Sequence, residues 1–166
     1  VSIALLTVSD TRDENNDKSG KLLADRLRSD GHNLYEKFIL PDNIYRVRAQ
    51  VATWISDPEV QTIISTGGIG LTGRDGTPEA VIPLFDKEIE GFGELFRFLS
   101  FNKIGTSTIQ SRALAGVSKG TYIFNLPGSP SACKDAWDEI LVHQLDYRHK
   151  PCNFVEIMPR LIEKGV

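Results

Sequence analysis

Residues 2–8 (Ser-Ile-Ala-Leu-Leu-Thr-Val) form an almost unbroken apolar run that ends on the polar Ser9-Asp10-Thr11-Arg12. An apolar run of this length without alternation predicts a strand covered on both faces. An acidic loop reaches Asp17. Leu23 and Leu27, helped by Leu22, then repeat at helical spacing, with Asp17 or Ser19 as the expected cap and Gly31 as the stop. Leu34 to Leu40 reads as a second strand, broken by Pro41-Asp42-Asn43. Val47, Val51 and Ile55 share one helical face before Asp57-Pro58 ends the second helix. Val60 to Ser65 is rich in β-branched residues and predicts a third strand.

Such alternation implies right-handed crossovers and a mainly parallel sheet with helices on both faces, hence a three-layer α/β/α sandwich. Thr66 to Thr77 is a glycine-rich loop, after which Thr77 and Pro78 suit a capped helix start. Phe92 to Phe101 is expected to be helical. Ala113 to Val117 and Thr121 to Asn125 flank Ser118-Lys119-Gly120, which predicts a hairpin and one antiparallel pair in the sheet. Ser131 to Leu145 carries Ala136, Trp137, Ile140, Leu141 and Gln144 at helical spacing. From about residue 147 the chain turns polar and irregular, as in a loosely held tail or one resting on a neighbouring subunit.

The length, 166 residues, fits one domain over 1–166 with a sizeable core. Nineteen basic against 22 acidic residues argue against a nucleic-acid surface, which carries a basic excess. No apolar run approaches the roughly 18 residues of a membrane span, so no membrane partner is expected. Two cysteines, Cys133 and Cys152, are too few for a disulfide framework or a zinc cage and suggest a reducing, cytoplasmic setting.

Ligands of open α/β sheets gather beyond the carboxyl ends of the strands. Four loops are expected there: Ser9 to Arg12, Pro41 to Asn43, Thr66 to Thr77, and Pro127-Gly128-Ser129-Pro130. Gly67, Gly68 and Gly70 let the third loop's backbone approach a bulky anion, and the helix start that follows favours negative charge, so a phosphate is the natural guest. The loop is neither a P-loop nor a dinucleotide fingerprint, and a plain flexible connection would look much the same. Asp75, beside Arg74, would repel a phosphate unless a metal such as Mg²⁺ lay between them; it reads equally as a cap or an Arg-paired acid. Asp42 has the same two readings. Gly105-Thr106-Ser107-Thr108 is a hydroxyl-rich helix entry or a further anion contact. The many phenylalanines of 85–101 read as core plus a subunit contact.

At these residues the chain resembles the molybdenum cofactor biosynthesis protein B and molybdopterin adenylyltransferase family. The stretches that carry the likeness are Thr7-Val8-Ser9-Asp10, Thr66-Gly67-Gly68-Ile69-Gly70, Arg74-Asp75-Gly76-Thr77-Pro78-Glu79, Glu90-Gly91-Phe92-Gly93-Glu94, Ser111-Arg112-Ala113 and Leu126-Pro127-Gly128-Ser129-Pro130. Phe98-Leu99-Ser100-Phe101 and Ile104-Gly105-Thr106-Ser107-Thr108 resemble the B branch in particular. The resemblance implies a homo-oligomer, trimer or hexamer, that binds molybdopterin. In active members the pterin's phosphate attacks Mg-ATP, giving adenylylated molybdopterin and pyrophosphate.

By the same resemblance Asp42 and Asp75 are the catalytic pair, meeting Mg²⁺ through the nucleotide. Asp10, Thr66, Gly67, Gly68, Ile69, Gly70, Arg74, Pro127, Gly128, Ser129 and Pro130 are the expected substrate contacts. Ile69 departs from the family's usual threonine, which leaves a non-catalytic molybdopterin-binding or carrier protein as the alternative.

Overall fold

The computed structural model describes residues 1–163; of the expected tail, 164–166 lie outside the described residues. The strands are β1 (Ser2–Val8), β2 (Asn33–Leu40), β3 (Thr62–Thr66), β4 (Lys87–Glu88), β5 (Leu114–Ser118) and β6 (Thr121–Leu126), in spatial order β2-β1-β3-β6-β5-β4. β2, β1, β3 and β6 are parallel. The expected hairpin supplies the antiparallel pair β5–β6, which the two-residue β4 extends.

Side chains of β1 alternate between two cores. Ile3 and Leu5 join a cluster under α1 (Lys18–Ser29), α4 (Glu90–Ile104) and α5 (Pro130–Ala136). Ala4, Leu6 and Val8 join one under α2 (Ile44–Ile55) and α3 (Thr77–Val81). The sheet is therefore the middle of three layers. The first crossover leaves β1 on one side and the second returns on the other, so the loops after β1 and β3 part at a switch point, where a crevice opens.

Asp17 fastens the layer at β1. Its side chain is fully buried, accepts from the Gly20 N–H at 2.9 Å and the Thr7 hydroxyl at 2.8 Å, and meets Lys37 of β2 at 3.0 Å. It is the α1 cap; Ser19, the other candidate, turns its hydroxyl to the Gly128 carbonyl instead.

Three local expectations need correction. The N-cap position of α3 is Gly76, with no side-chain cap, because the Thr77 hydroxyl donates to the Gly67 carbonyl at 3.0 Å. The helix expected to reach Leu145 is α only to Ala136, passes through a π segment at Trp137–Leu141 and resumes as α6 (Val142–Gln144). Up to residue 163, the stretch after Tyr147 is not loose but packs on the chain's own core. Asn153 is buried and caps α7 (Phe154–Ile157), and the Phe154 ring packs on Tyr122 and Phe124 with centroids 4.8 and 5.7 Å away.

Candidate functional site

The loops following β1, β2, β3 and β6 open on one cavity of about 730 Å³ at the carboxyl edge of the sheet. Asp10, Asp42, Arg74, Asp75, the whole of Thr66 to Gly70 and the whole of Pro127 to Pro130 line it. Every site residue expected from the sequence thus reaches the same hollow, though not every side chain is free to act there.

The glycine loop is held by backbone contacts that admit no side chain. Gly67 has φ +102°, and a Cβ on it would sit 2.2 Å from the Val8 carbonyl oxygen. Gly68 has φ +64°, with the Thr77 hydroxyl and the Asp42 carboxylate crowding the same space. Only glycine tolerates both demands. The Thr66 hydroxyl donates to the Pro127 carbonyl at 2.8 Å, which ties the loop to the β6 turn. The Ile69 side chain is buried in the core, so this residue offers the cavity its backbone alone. Ser129 caps α5 by accepting from the Ala132 N–H at 3.2 Å, so that helix opens on the cavity. Cys133 lies beneath the turn. Burial pushes its thiol up to about 11, so it stays protonated at neutral pH and serves as packing.

The acids differ in state. One oxygen of Asp75 accepts from the Thr72 N–H at 2.8 Å and the Thr72 hydroxyl at 2.7 Å; chiefly that hydroxyl holds its carboxyl below the usual range. Asp75 is thus neither a helix cap nor an ion-pair partner: it sits in its own loop as a bound anion. Asp42 accepts from the Gly76 N–H at 3.2 Å. Burial raises its pKa, and the charges of Asp75 and Asp10 add to this. Asp10 receives the Asp42 N–H at 3.0 Å and faces Arg74 at 3.6 Å.

A divalent cation would relieve Asp42, because opposite charge favours the ionised carboxylate. Among the described residues no group of three or more acid, His or Cys side chains could form a protein-only cage. Two carboxylates are, however, the number Mg²⁺ uses when phosphate oxygens and water complete its shell. The donors fit a metal that arrives with a nucleotide.

Residues 4–147 match the family model described as "Probable molybdopterin binding domain". The chain belongs to that family. The molybdenum cofactor biosynthesis protein B of Escherichia coli (strain K12) is 55% identical over 152 residues, 92% of this chain and 89% of the relative. A crystal structure of a molybdenum cofactor biosynthesis protein B, 39% identical, superposes with a TM-score of 0.84 over 87% of this chain and 91% of the other. A structure of MogA, 28% identical, gives 0.80 over 89% and 96%. The protein is a homologue of these molybdenum cofactor biosynthesis proteins.

In this family member two arginines do work that sequence reasoning missed. Arg112 donates to the Gly70 carbonyl at 2.8 Å and the Asp75 carbonyl at 2.9 Å, and pairs with Glu79, so it ties together the two sides of the 70–75 segment of the glycine loop. Arg12 donates to the Gly128 carbonyl at 3.0 Å and to Ser19 at 3.1 Å, which steadies the β6 turn. Arg112 stands in one of the stretches that carry the resemblance and Arg12 in one of the four loops, but neither position tells which carbonyls the guanidinium reaches. Most of the cavity's far wall was also missed: Phe96, Ser100 and Ile104 of α4, and Gln110. Of Gly105 to Thr108, Thr108 reaches the cavity, and its hydroxyl donates to the Arg97 carbonyl within a 3₁₀ turn.

Proposed function

We propose that this protein binds molybdopterin in the main cavity and adenylylates it with Mg-ATP, releasing pyrophosphate. The observation that carries the reading is the convergence of Asp42, Asp75, the glycine loop and the Pro127 to Pro130 turn on one hollow. The likeness to MogA supports the same reading.

The pterin's phosphate oxygen would attack the α-phosphorus of ATP as the bond to pyrophosphate breaks. Positioning and charge stabilisation supply most of the rate in such transfers. The loop backbone around Gly68 and Ile69 and the N-terminus of α5 would orient the attacking phosphate. Arg74, exposed on the rim, would offset charge building on the nucleotide. Asp42 and Asp75 would hold Mg²⁺, which supplies Lewis-acid neutralisation of the phosphates. The protein would work in the cytoplasm, where its two unpaired cysteines stay reduced, as a trimer or hexamer.

A second reading, a molybdopterin carrier without transferase activity, is favoured by one feature: Asp75 is already engaged by Thr72, which draws it away from a metal. One assay separates the two. Protein, molybdopterin, Mg²⁺ and ATP are mixed and pyrophosphate is measured. Release that disappears in Asp75→Asn, with pterin binding retained, supports the enzyme. Bound pterin without pyrophosphate supports the carrier, and undiminished turnover in Asp75→Asn removes Asp75 from the chemistry.

A further inference from the structure

Two side chains from the start of the chain converge on one carbonyl of the β6 turn. The Ser19 hydroxyl donates to the Gly128 oxygen at 2.8 Å, and Arg12 Nη2 donates to the same oxygen at 3.0 Å. Arg12 Nη1 also donates to the Ser19 hydroxyl at 3.1 Å, which closes a ring of three hydrogen bonds. Ser19 is fully buried. Both terminal nitrogens of the guanidinium are thus engaged with the protein, although Arg12 lines the main cavity.

The charges behind this ring do not cancel. Asp17, whose side chain is fully buried, stands 3.8 Å from Arg12 Nη1 and 3.0 Å from Lys37 Nζ. Glu14 also meets Lys37, but its side chain is 72% exposed and water screens it. Two cations therefore share one buried acid, and a positive charge is left over beside the turn. A tie that only held the chain in place would need no more than a neutral donor, such as the Thr66 hydroxyl on the Pro127 carbonyl.

Peptide units are planar and trans, so the N–H opposite a held carbonyl points the other way. The Gly128 carbonyl is drawn toward the start of α1. The N–H of the same unit, which belongs to Ser129, is turned away from α1 and has no protein acceptor among the described residues. Gly128 and Ser129 line the main cavity, and the turn rests on the glycine loop: a Cβ on Gly128 would sit 3.4 Å from the Gly67 Cα. A carbonyl that accepts two bonds, one from a cation, makes the N–H of its own unit a stronger donor, by roughly 10–30% per bond.

Building on the reading that molybdopterin occupies this cavity, we propose that Arg12 and Ser19 are positioning residues for the substrate: their grip on the Gly128 carbonyl aims and polarises the Ser129 N–H, which donates to an oxyanion of the pterin's phosphate. Arg12 acts through the peptide and does not touch the ligand. Lysine cannot replace it, because a single ammonium lacks the fork that spans Ser19 and Gly128.

The test follows the intact, isotope-labelled protein by NMR during titration with molybdopterin. In the wild type the Ser129 amide proton should move downfield on binding. An unmoved Ser129 amide in a protein that binds molybdopterin overturns the proposal, and this measurement requires no variant to fold. In Arg12→Lys and in Ser19→Ala the movement should shrink, and molybdopterin affinity should fall about threefold to tenfold, the worth of one hydrogen bond. Because both side chains act on one carbonyl, the double variant should lose little more than the worse single one. Losses that multiply would make Arg12 a separate ligand contact and overturn the proposal. Unchanged affinity in both single variants, with unchanged thermal unfolding, overturns it as well. Mg-ATP affinity should hold within about twofold; an equal loss there would mark a general loosening and also overturns it. Molybdopterin bound with the Ser129 amide shifted, but with no pyrophosphate released, supports the proposal and removes the adenylylation reading alone. A wild-type protein that binds no molybdopterin removes the reading and the proposal with it.

Discussion

Asp42 is held at a cost. It is partly buried, and Asp75 and Asp10 add like charge, so its pKa in the folded chain lies above the unfolded value. A carboxyl shifted this way favours the folded state while protonated, and that contribution is lost as pH rises through the raised value. Above it, the ionised group opposes folding. Asp42→Asn keeps an oxygen for the Gly76 N–H and removes the charge. The variant should melt about 1–3 °C above the wild type at pH 7, an increment of less than about 1 kcal/mol for a chain of this size. The gap should close as pH falls below the usual carboxylate range. A gap that does not change with pH would exclude electrostatic strain as its cause. The same variant should lose pyrophosphate release, since stability gained at a strained acid is commonly activity lost. This residue was legible in the sequence as one of two carboxylates in adjacent loops. The state of Asp75 was not, because an acid three residues after a threonine looks alike whether it binds Thr72 or a metal. Ile69 was misleading for a similar reason: loop residues are read as facing ligand, yet this side chain completes the core.

Among the elements, those between residues 2 and 66 were readable because period and punctuation agree: apolar runs on strands, a 3–4 repeat on helices, and polar breaks between. What ties the loops together was not readable, since hydrogen bonds from single side chains to distant carbonyls leave no periodic trace. Arg112 is the clearest case. Its planar fork reaches the carbonyls of Gly70 and Asp75, 42 and 37 residues earlier in the chain. Lysine offers a point charge with no such fork. Arg112→Lys should therefore leave the melting temperature within about 2 °C, a change of under about 1 kcal/mol. Amide exchange across residues 70–76 should rise, and ligand affinity should fall severalfold; protection equal to wild type would show that the loop holds itself. Gly20 makes the opposite kind of demand. A Cβ there would sit 2.1 Å from the Asp17 carboxylate and 2.6 Å from the Thr7 hydroxyl. Gly20→Ala must push a buried, paired acid off its cap, so a loss of about 2–4 kcal/mol is expected by denaturant titration. A loss below 1 kcal/mol, about the value of an ordinary cap alone, would mean that Asp17 is free to move.

For the whole molecule, the layer architecture followed from the order of strands and helices. The position of the C-terminal segment did not: Phe154, Met158 and Leu161 stand four and three apart, but the repeat is only two turns long and interrupted by Pro159, and only the folded core shows them a surface to cover. The converse holds for α4. Its phenylalanines read as part core and part contact surface. Phe92 and Phe96 are buried, whereas Leu95, Phe98, Phe101 and Ile104 form an exposed stripe at three-residue spacing, continued by Ile109. Apolar side chains rarely line up in solvent on a monomer, and a stripe of this kind marks an interaction surface, which in the proposed trimer or hexamer another copy would cover. Because Ser100 and Ile104 also line the main cavity, that copy would stand at the cavity's edge. Phe98→Glu with Phe101→Glu should then convert a trimer or hexamer to monomer in sedimentation, with secondary structure retained. Molybdopterin affinity should drop in the monomer, since one side of the hollow would open to water. A wild-type protein that sediments as a monomer at tens of micromolar would show instead that the stripe serves a different partner.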